Sequence, residues 1–99
     1  MVVKMNNTNP NFYKYMGKFF GSRLVERQTS DRIYDDSNKE WYIYLEDNEK
    51  VSAFASVTNN VIKNIYTLKE KYLEEVLDTI KKEIKIEPSV VSNLYVETY

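Results

Sequence analysis

Apolar positions along the chain change their spacing several times, and each change predicts a new element. Val2 to Met5 is a short apolar run and predicts a first strand. From Phe12 to Phe20, apolar side chains recur every three or four residues, which predicts a helix. Asn9 and Pro10 are suited to start this helix, Asn9 as its cap and Pro10 as its first helical residue.

Two glycines and a serine predict where this first helix gives way to a second. Gly17 and Gly21 weaken the helix, and we expect it to end near Gly21. Ser22 is a suitable cap for a second, short helix that includes Val25 and Gln28. Residues 30–40 are polar and predict a loop.

The middle of the chain has the pattern of strands. Trp41 to Leu45 is rich in aromatic and branched residues, and the alternation in Val51 to Val57 predicts its partner strand. A turn over residues 46–49 joins the two. Residues 58–60 predict a second turn, because asparagine tolerates positive φ, and Val61 to Tyr66 predicts a third strand.

The clearest helix lies near the end of the chain. From Leu68 onwards, apolar residues are spaced by four and Lys and Glu fill the other positions, which predicts a helix over residues 69–85. Pro88 blocks its continuation, and Val90 to Val96 predicts a last strand. The order β-α-α-β-β-β-α-β predicts one α+β domain over residues 1–99, with helices packed on a mixed, mostly antiparallel sheet. The unit 61–96 predicts a parallel, right-handed crossover.

Two missing residue types restrict the chemistry. The chain has 99 residues without Cys or His. It therefore has no disulfide, no thiolate nucleophile, no cysteine-ligated metal site and no imidazole base. Carboxylates, lysines, tyrosines, serines and backbone groups remain.

The charge is nearly balanced but unevenly placed. The net charge is −1, which argues against general attraction to nucleic acids or anionic membranes. Residues 1–34 carry a net charge of +4 and residues 35–49 a net charge of −5. These charges belong either to an ordinary solvated surface or to a surface with a positive and a negative part that binds a partner protein. With no apolar run of membrane-spanning length and no signal pattern, we expect a cytoplasmic protein without membrane association.

Three polar or aromatic groups are weighed as sites. An aspartate cluster could ligate a cation, although a turn or cap role fits it better, and the carboxylates of the long helix fit a solvated face better than an acid–base pair. The aromatic strand could stack bases, but its acidic flanks favour a core role. We therefore predict no metal site. The groups are Asp31, Asp35 and Asp36; Glu74, Glu75 and Asp78; and Trp41, Tyr42 and Tyr44.

Several segments resemble the GNAT family of N-acetyltransferases, and together they cover nearly the whole chain. The most specific is IYDDSNKEWYIYL with the hairpin into VSAFASV, which looks like the family's second and third strands. FYKYMGKFFGSRLVERQ resembles its first helices, VIKNIYTLKEKY its fourth strand and exit, and VSNLYVETY its fifth strand. The resemblance implies a GNAT fold without the family's C-terminal elements. It also implies acetyl-CoA as the cofactor, its pantetheine arm bonded to the backbone of Ile65, Tyr66 and Thr67.

The chain departs from the family at the positions that hold the cofactor. The glycine-rich loop that binds the pyrophosphate would fall on Tyr72, Glu75 and Leu77, and no glycine follows Gly21. The family's Tyr general acid belongs to a helix beyond the fifth strand, where this sequence ends at Tyr99. We therefore assign no catalytic residue, expect no cofactor, and favour a protein that is not an enzyme.

Three functions follow from this sequence. The first is a non-catalytic interaction protein on a degenerate acetyltransferase-like fold. Its small size suits a protein that a phage or mobile element encodes and that binds a host protein. Its expected partner is another protein or a second copy in a homodimer, because the last strand leaves an uncharged sheet edge. The second is an atypical acetyl-CoA-dependent N-acetyltransferase. The third, which the charge does not favour, is a small nucleic-acid-binding or nucleic-acid-mimic protein.

Overall fold

The computed structural model describes residues 1–29, 33–35 and 38–83. Four strands and three helices follow one another in the order predicted for the first seven elements, and the fold is α+β. Their bounds are β1 (Val2–Met5), α1 (Phe12–Met16), α2 (Arg23–Thr29), β2 (Glu40–Leu45), β3 (Val51–Thr58), β4 (Val61–Thr67) and α3 (Glu70–Glu83). The predicted strand 90–96, the parallel crossover and the end of the predicted 69–85 helix lie outside the described residues.

The strands form one sheet in the order β1-β2-β3-β4, and every neighbouring pair is antiparallel. Consecutive strands are thus neighbours, as short connections favour. Between β3 and β4, Asn59 and Asn60 both have positive φ, of 50° and 64°. This is the two-residue turn that the asparagines predict.

Apolar residues on both faces of the sheet place a layer of helix on each side. Trp41, Ile43 and Phe54 pack with residues of α1 and α2. Tyr42, Ala53 and Ala55 pack on the opposite face with residues of α3. The strands are therefore apolar at successive positions rather than alternating, because both faces are covered.

The first helix differs from its prediction. It covers only Phe12–Met16, and Asn11 stands at the N-cap position without a capping hydrogen bond from its side chain. The assignment of Asn9 and Pro10 as cap and first helical residue is therefore wrong. The Asn9 side chain instead accepts a hydrogen bond from the Asn11 amide at 2.8 Å, which forms a turn before the helix. Gly17 ends the helix earlier than expected, consistent with the high cost of glycine in helices.

The predicted aromatic stripe is part of the core nevertheless. Phe12, Met16 and Phe19 are buried, and Phe20 packs against them from the edge. The predicted cap of α2 is confirmed, because the Ser22 hydroxyl accepts a hydrogen bond from the Val25 amide at 3.3 Å.

Candidate functional site

Ile65, Tyr66 and Thr67, whose backbone is expected to bond a pantetheine arm, are the last three residues of β4. The Leu68 amide donates to the Ser52 carbonyl of β3 at 2.9 Å. Because hydrogen bonding alternates along an antiparallel pair, Tyr66 also bonds to β3, whereas the N–H and C=O of Thr67 face the outer side of the sheet. Of the strands within the described ranges, none lies beyond β4. The outer edge of β4 at Thr67 is thus the candidate site for a pantetheine-like chain.

The connection from β4 to α3 is very short, and each of its two residues makes backbone hydrogen bonds. Only Leu68 and Lys69 separate the strand from the helix. Leu68 is tied to β3 by its amide and packs against the core, while the Lys69 carbonyl accepts hydrogen bonds from the Thr67 hydroxyl and the Tyr72 amide. A connection of two residues that is held in this way is too short to wrap around a pyrophosphate.

The residues expected at the phosphate-binding positions are all part of α3. Tyr72 stacks on Tyr44 with ring centroids 4.4 Å apart, and its hydroxyl donates to Glu46 at 3.3 Å. Leu77 packs against the core on this face of the sheet. Glu75 is exposed and carries its charge on the second turn of the helix. Tyr72 and Leu77 thus attach α3 to the sheet, and Glu75 adds a negative charge.

A β-bulge interrupts β4 and contains a buried polar cluster. Phe54 pairs with Tyr66 and Ser56 with Lys63, so β4 has one more residue than β3 between these pairs. Asn64 lies in the bulge with φ of 56° and is buried. Its side-chain oxygen accepts hydrogen bonds from the Ser56 hydroxyl at 2.6 Å and from the Lys39 ammonium at 2.9 Å.

Lys39 is the unexpected member of this cluster. Only 3% of its surface is exposed, and its ammonium also donates to the Tyr34 carbonyl at 2.7 Å and lies 3.6 Å from the centre of the Tyr34 ring. A lysine so buried needs such partners, because a charge in a low-dielectric interior is costly. Sequence reasoning missed this cluster, since Lys39 stands in a polar segment predicted as a loop and Asn64 lies within a predicted strand, where nothing indicates that the two side chains meet. The departure of Asn64 from strand propensity is the one signal that could have found it.

Three carboxylates accept hydrogen bonds from tyrosines. The hydrogen bonds from Ser52 to Glu46, from Tyr15 to Glu49 and from Tyr42 to Glu83 are in each case the largest cause that lowers the pKa of the carboxyl. Burial and the bond to Glu83 raise the pKa of Tyr42 to about 12. These shifts keep the carboxylates ionised and the phenols protonated. A general base with a raised carboxyl pKa, or a general acid with a lowered phenol pKa, needs the opposite.

The aspartates weighed as metal ligands divide between described and undescribed residues. Both oxygens of the Asp35 carboxylate are engaged, one with the Trp41 indole N–H at 2.8 Å and one with the Asn7 amide at 3.2 Å. Asp31 and Asp36 lie outside the described residues. Within the described ranges, no three carboxylates come together as metal ligands. Asp35 thus fixes the indole of a core residue.

A cavity of about 430 Å³ opens beside β1 and the turn between β2 and β3. Val3, Met5 and Leu45 line it with apolar surface, and Tyr15 and Glu49 contribute polar groups. The Tyr15 hydroxyl donates to Glu49 at 3.0 Å. Tyr15 and Glu49 are thus bonded to each other at the cavity wall.

The helical layer formed by α1 and α2 carries a mixed apolar and basic outer side. Val25 and Thr29 are the buried residues of α2, so the other side of this helix faces outwards. On the outer side of the layer, Tyr13 is 59% and Leu24 65% exposed. We call this the α1–α2 surface, and its side chains are Tyr13, Lys18, Phe20, Arg23, Leu24 and Arg27.

Comparison with known proteins gives no family. The chain matches no protein-family model, and no curated protein or solved structure matches it. Among the described helices, none has the length and apolar character needed to cross a membrane.

Proposed function

We propose that this protein is a non-catalytic interaction protein on a degenerate acetyltransferase-like fold. The observation that carries the proposal is the connection between β4 and α3. Where the resemblance to the GNAT family places a flexible, glycine-rich loop, only Leu68 and Lys69 lead into a helix with Glu70 in its first turn, and the Leu68 amide is bonded to β3. A phosphate group close to Glu70 and Glu75 is repelled by about 1 kcal/mol per carboxylate even in water.

The ionisable groups of the described chain support the same proposal. Glu46, Glu49 and Glu83 accept hydrogen bonds that favour their charged forms, and the tyrosines that they face keep their protons. Each of these pairs joins two elements of the fold. Such pairs stabilise the structure and leave neither partner poised to accept a proton from an amine.

The interaction part of the proposal is supported by the α1–α2 surface. Tyr and Arg are among the residue types that dominate binding energy at protein interfaces, and an exposed Leu beside them adds apolar area for a partner to cover. In Tyr13, Leu24 and Arg23 all three types are exposed on one helical layer.

Thermal unfolding with and without millimolar acetyl-CoA tests the proposal. A ligand at 100 times its dissociation constant stabilises a protein by about 2.7 kcal/mol. For a domain of this size, this stabilisation raises the melting temperature by roughly 10 °C or more. We expect the melting temperature to be unchanged. A saturable rise that acetyl-CoA produces and ADP does not would contradict the proposal.

The alternative of an atypical N-acetyltransferase is favoured by one observation, the outward-facing backbone of Thr67 at the edge of β4. Thr67→Pro removes the N–H that a pantetheine chain would accept from, whereas Thr67→Ala retains it, and both variants lack the hydroxyl. If acetyl-CoA binds, the alternative predicts that Thr67→Ala keeps this binding and Thr67→Pro loses it.

A partner protein and a second copy of the chain are the two candidates for the interaction. Light scattering at tens of micromolar separates them. A mass of twice 11.8 kDa would identify a homodimer. A mass of 11.8 kDa would direct the search to a different protein.

A further inference from the structure

We infer that the α1–α2 surface binds a segment of a partner protein that carries carboxylates together with apolar side chains. This inference rests on the proposed function and specifies the chemistry of the partner. It combines the exposed apolar side chains of the helical layer with the basic side chains around them.

The apolar part of the surface is held in place by ring contacts. The Tyr13 ring meets the Phe20 ring edge to face, with centroids 6.2 Å apart, and Phe20 in turn packs on Trp41 at 5.5 Å. Because Trp41 is fully buried, these contacts connect the exposed Tyr13 to the core. An exposed aromatic side chain that is already ordered loses little conformational entropy when a partner covers it.

The charge of the surface is positive on balance, because Lys18, Arg23 and Arg27 outnumber the half-buried Glu26 of α2. Lys18, Arg23 and Arg27 are exposed, and within the described part of the chain none of them lies in an ion pair. Arg23 and Arg27 are four residues apart on α2 and Leu24 is three before Arg27, so all three are neighbours on the helix surface. Guanidinium groups pair with carboxylates through two parallel hydrogen bonds, which makes carboxylates their best-matched partners in a protein.

An acidic protein segment suits this surface better than a nucleic acid does. Three basic groups neutralise few phosphates, and such contacts weaken steeply as salt increases. The exposed side chain of Leu24 offers an apolar contact that a phosphate backbone cannot use. A peptide with carboxylates and apolar residues satisfies both parts of the surface.

Selection of displayed random peptides on the 99-residue chain tests the inference. We expect the enriched peptides to be acidic and to contain aliphatic or aromatic residues. Their affinity should fall roughly tenfold or more in the Arg23→Glu/Arg27→Glu variant, since reversing the charges replaces attraction by repulsion. It should fall roughly fivefold in Leu24→Ser. The matched controls are Lys81→Glu/Lys82→Glu on exposed positions of α3 and Val61→Ser on β4, which should keep the affinity within about twofold.

Several results would overturn the inference. They are a selection that enriches no peptides, one that enriches neutral or basic peptides, and acidic peptides whose binding the two α1–α2 variants do not change. Binding of a single-stranded oligonucleotide that Arg23→Glu/Arg27→Glu abolishes would assign the surface to a nucleic acid instead. The failures are distinguishable, because peptides that bind elsewhere leave the proposed function standing, whereas acetyl-CoA binding contradicts that function whatever the peptides do.

Discussion

Asn64 and Glu49 hold backbone conformations that are costly for residues with a Cβ atom. Their φ angles are 56° and 62°, in the left-handed region. Each side chain makes contacts that offset this cost. The Glu49 carboxylate accepts a hydrogen bond from Tyr15 and pairs with Lys14 at the surface. The Asn64 side-chain oxygen accepts its hydrogen bond from Lys39 inside the protein. The buried position matters more, because a donor that loses its acceptor there has no water to replace it.

Substitution of Asn64 separates its backbone role from its side-chain role. We expect Asn64→Ala to destabilise the protein by about 2–4 kcal/mol, through the lost acceptor and the left-handed strain of alanine. Asn64→Gly loses the acceptor but not the conformation, and should be more stable than the alanine variant by about 1 kcal/mol. Urea unfolding of both variants measures the difference. A glycine variant that is equal to or less stable than the alanine variant would refute the strain argument.

The raised pKa of Tyr42 predicts that the protein loses stability at high pH. The pKa of this tyrosine is raised to about 12, mainly by burial, whereas a tyrosine in an unfolded chain ionises near pH 10. The contribution of its proton to stability is therefore complete below about pH 10 and is lost as the pH rises through about 12. Denaturant unfolding between pH 8 and 11.5 should show a shallower decline in Tyr42→Phe than in the unsubstituted protein. Equal slopes in the two proteins would contradict this prediction.

The elements follow from the sequence wherever one local signal determines them. The asparagine pair 59–60 specifies its turn, and the four-residue apolar spacing specifies α3. The extent of α1 could not be predicted in this way. The aromatic stripe continues to Phe20, but glycine at 17 ends the helix and the later aromatic residues reach the core from a turn. Tertiary packing places them, and periodicity alone does not distinguish the two cases.

At the candidate site, the sequence predicts that a glycine-rich loop is missing, but it does not predict the contacts that hold the junction between β4 and α3. The missing glycines and the helical spacing after Leu68 already indicate a helix where a phosphate loop would lie. The bonds that hold the junction join residues distant in sequence, such as Tyr72 and Glu46 or Leu68 and Ser52, and depend on the strand register. A bulge moves this register by one residue, and the sequence gives little sign of it.

The N-terminus of α2 provides a test at the scale of an element. The Ser22 hydroxyl accepts a hydrogen bond from the Val25 amide, which is otherwise without a helical partner. We expect Ser22→Ala to lower the free energy of unfolding by about 1 kcal/mol and Ser22→Asp to leave it nearly unchanged. Chemical denaturation measures both variants. If the alanine and aspartate variants are equally stable, the cap does not hold α2.

The whole molecule places its two candidate surfaces at different positions. The outer edge of β4 and the junction to α3 are where an acetyl-CoA-dependent enzyme would hold its cofactor, and the α1–α2 surface is where we place a protein partner. The sheet and its core separate α3 from α1 and α2. Substitutions on α3 should therefore leave the α1–α2 surface unchanged, as expected for distant sites.

Nuclear magnetic resonance tests the central claim, that this fold does not bind acetyl-CoA at β4, most directly. The backbone amides of ¹⁵N-labelled protein are followed while acetyl-CoA is added to millimolar concentration, which detects even weak binding. Our account predicts that the chemical shifts of the amides of Ile65, Tyr66, Thr67 and the first turn of α3 do not change. Saturable shifts confined to these amides would contradict it and establish a cofactor site at the edge of β4.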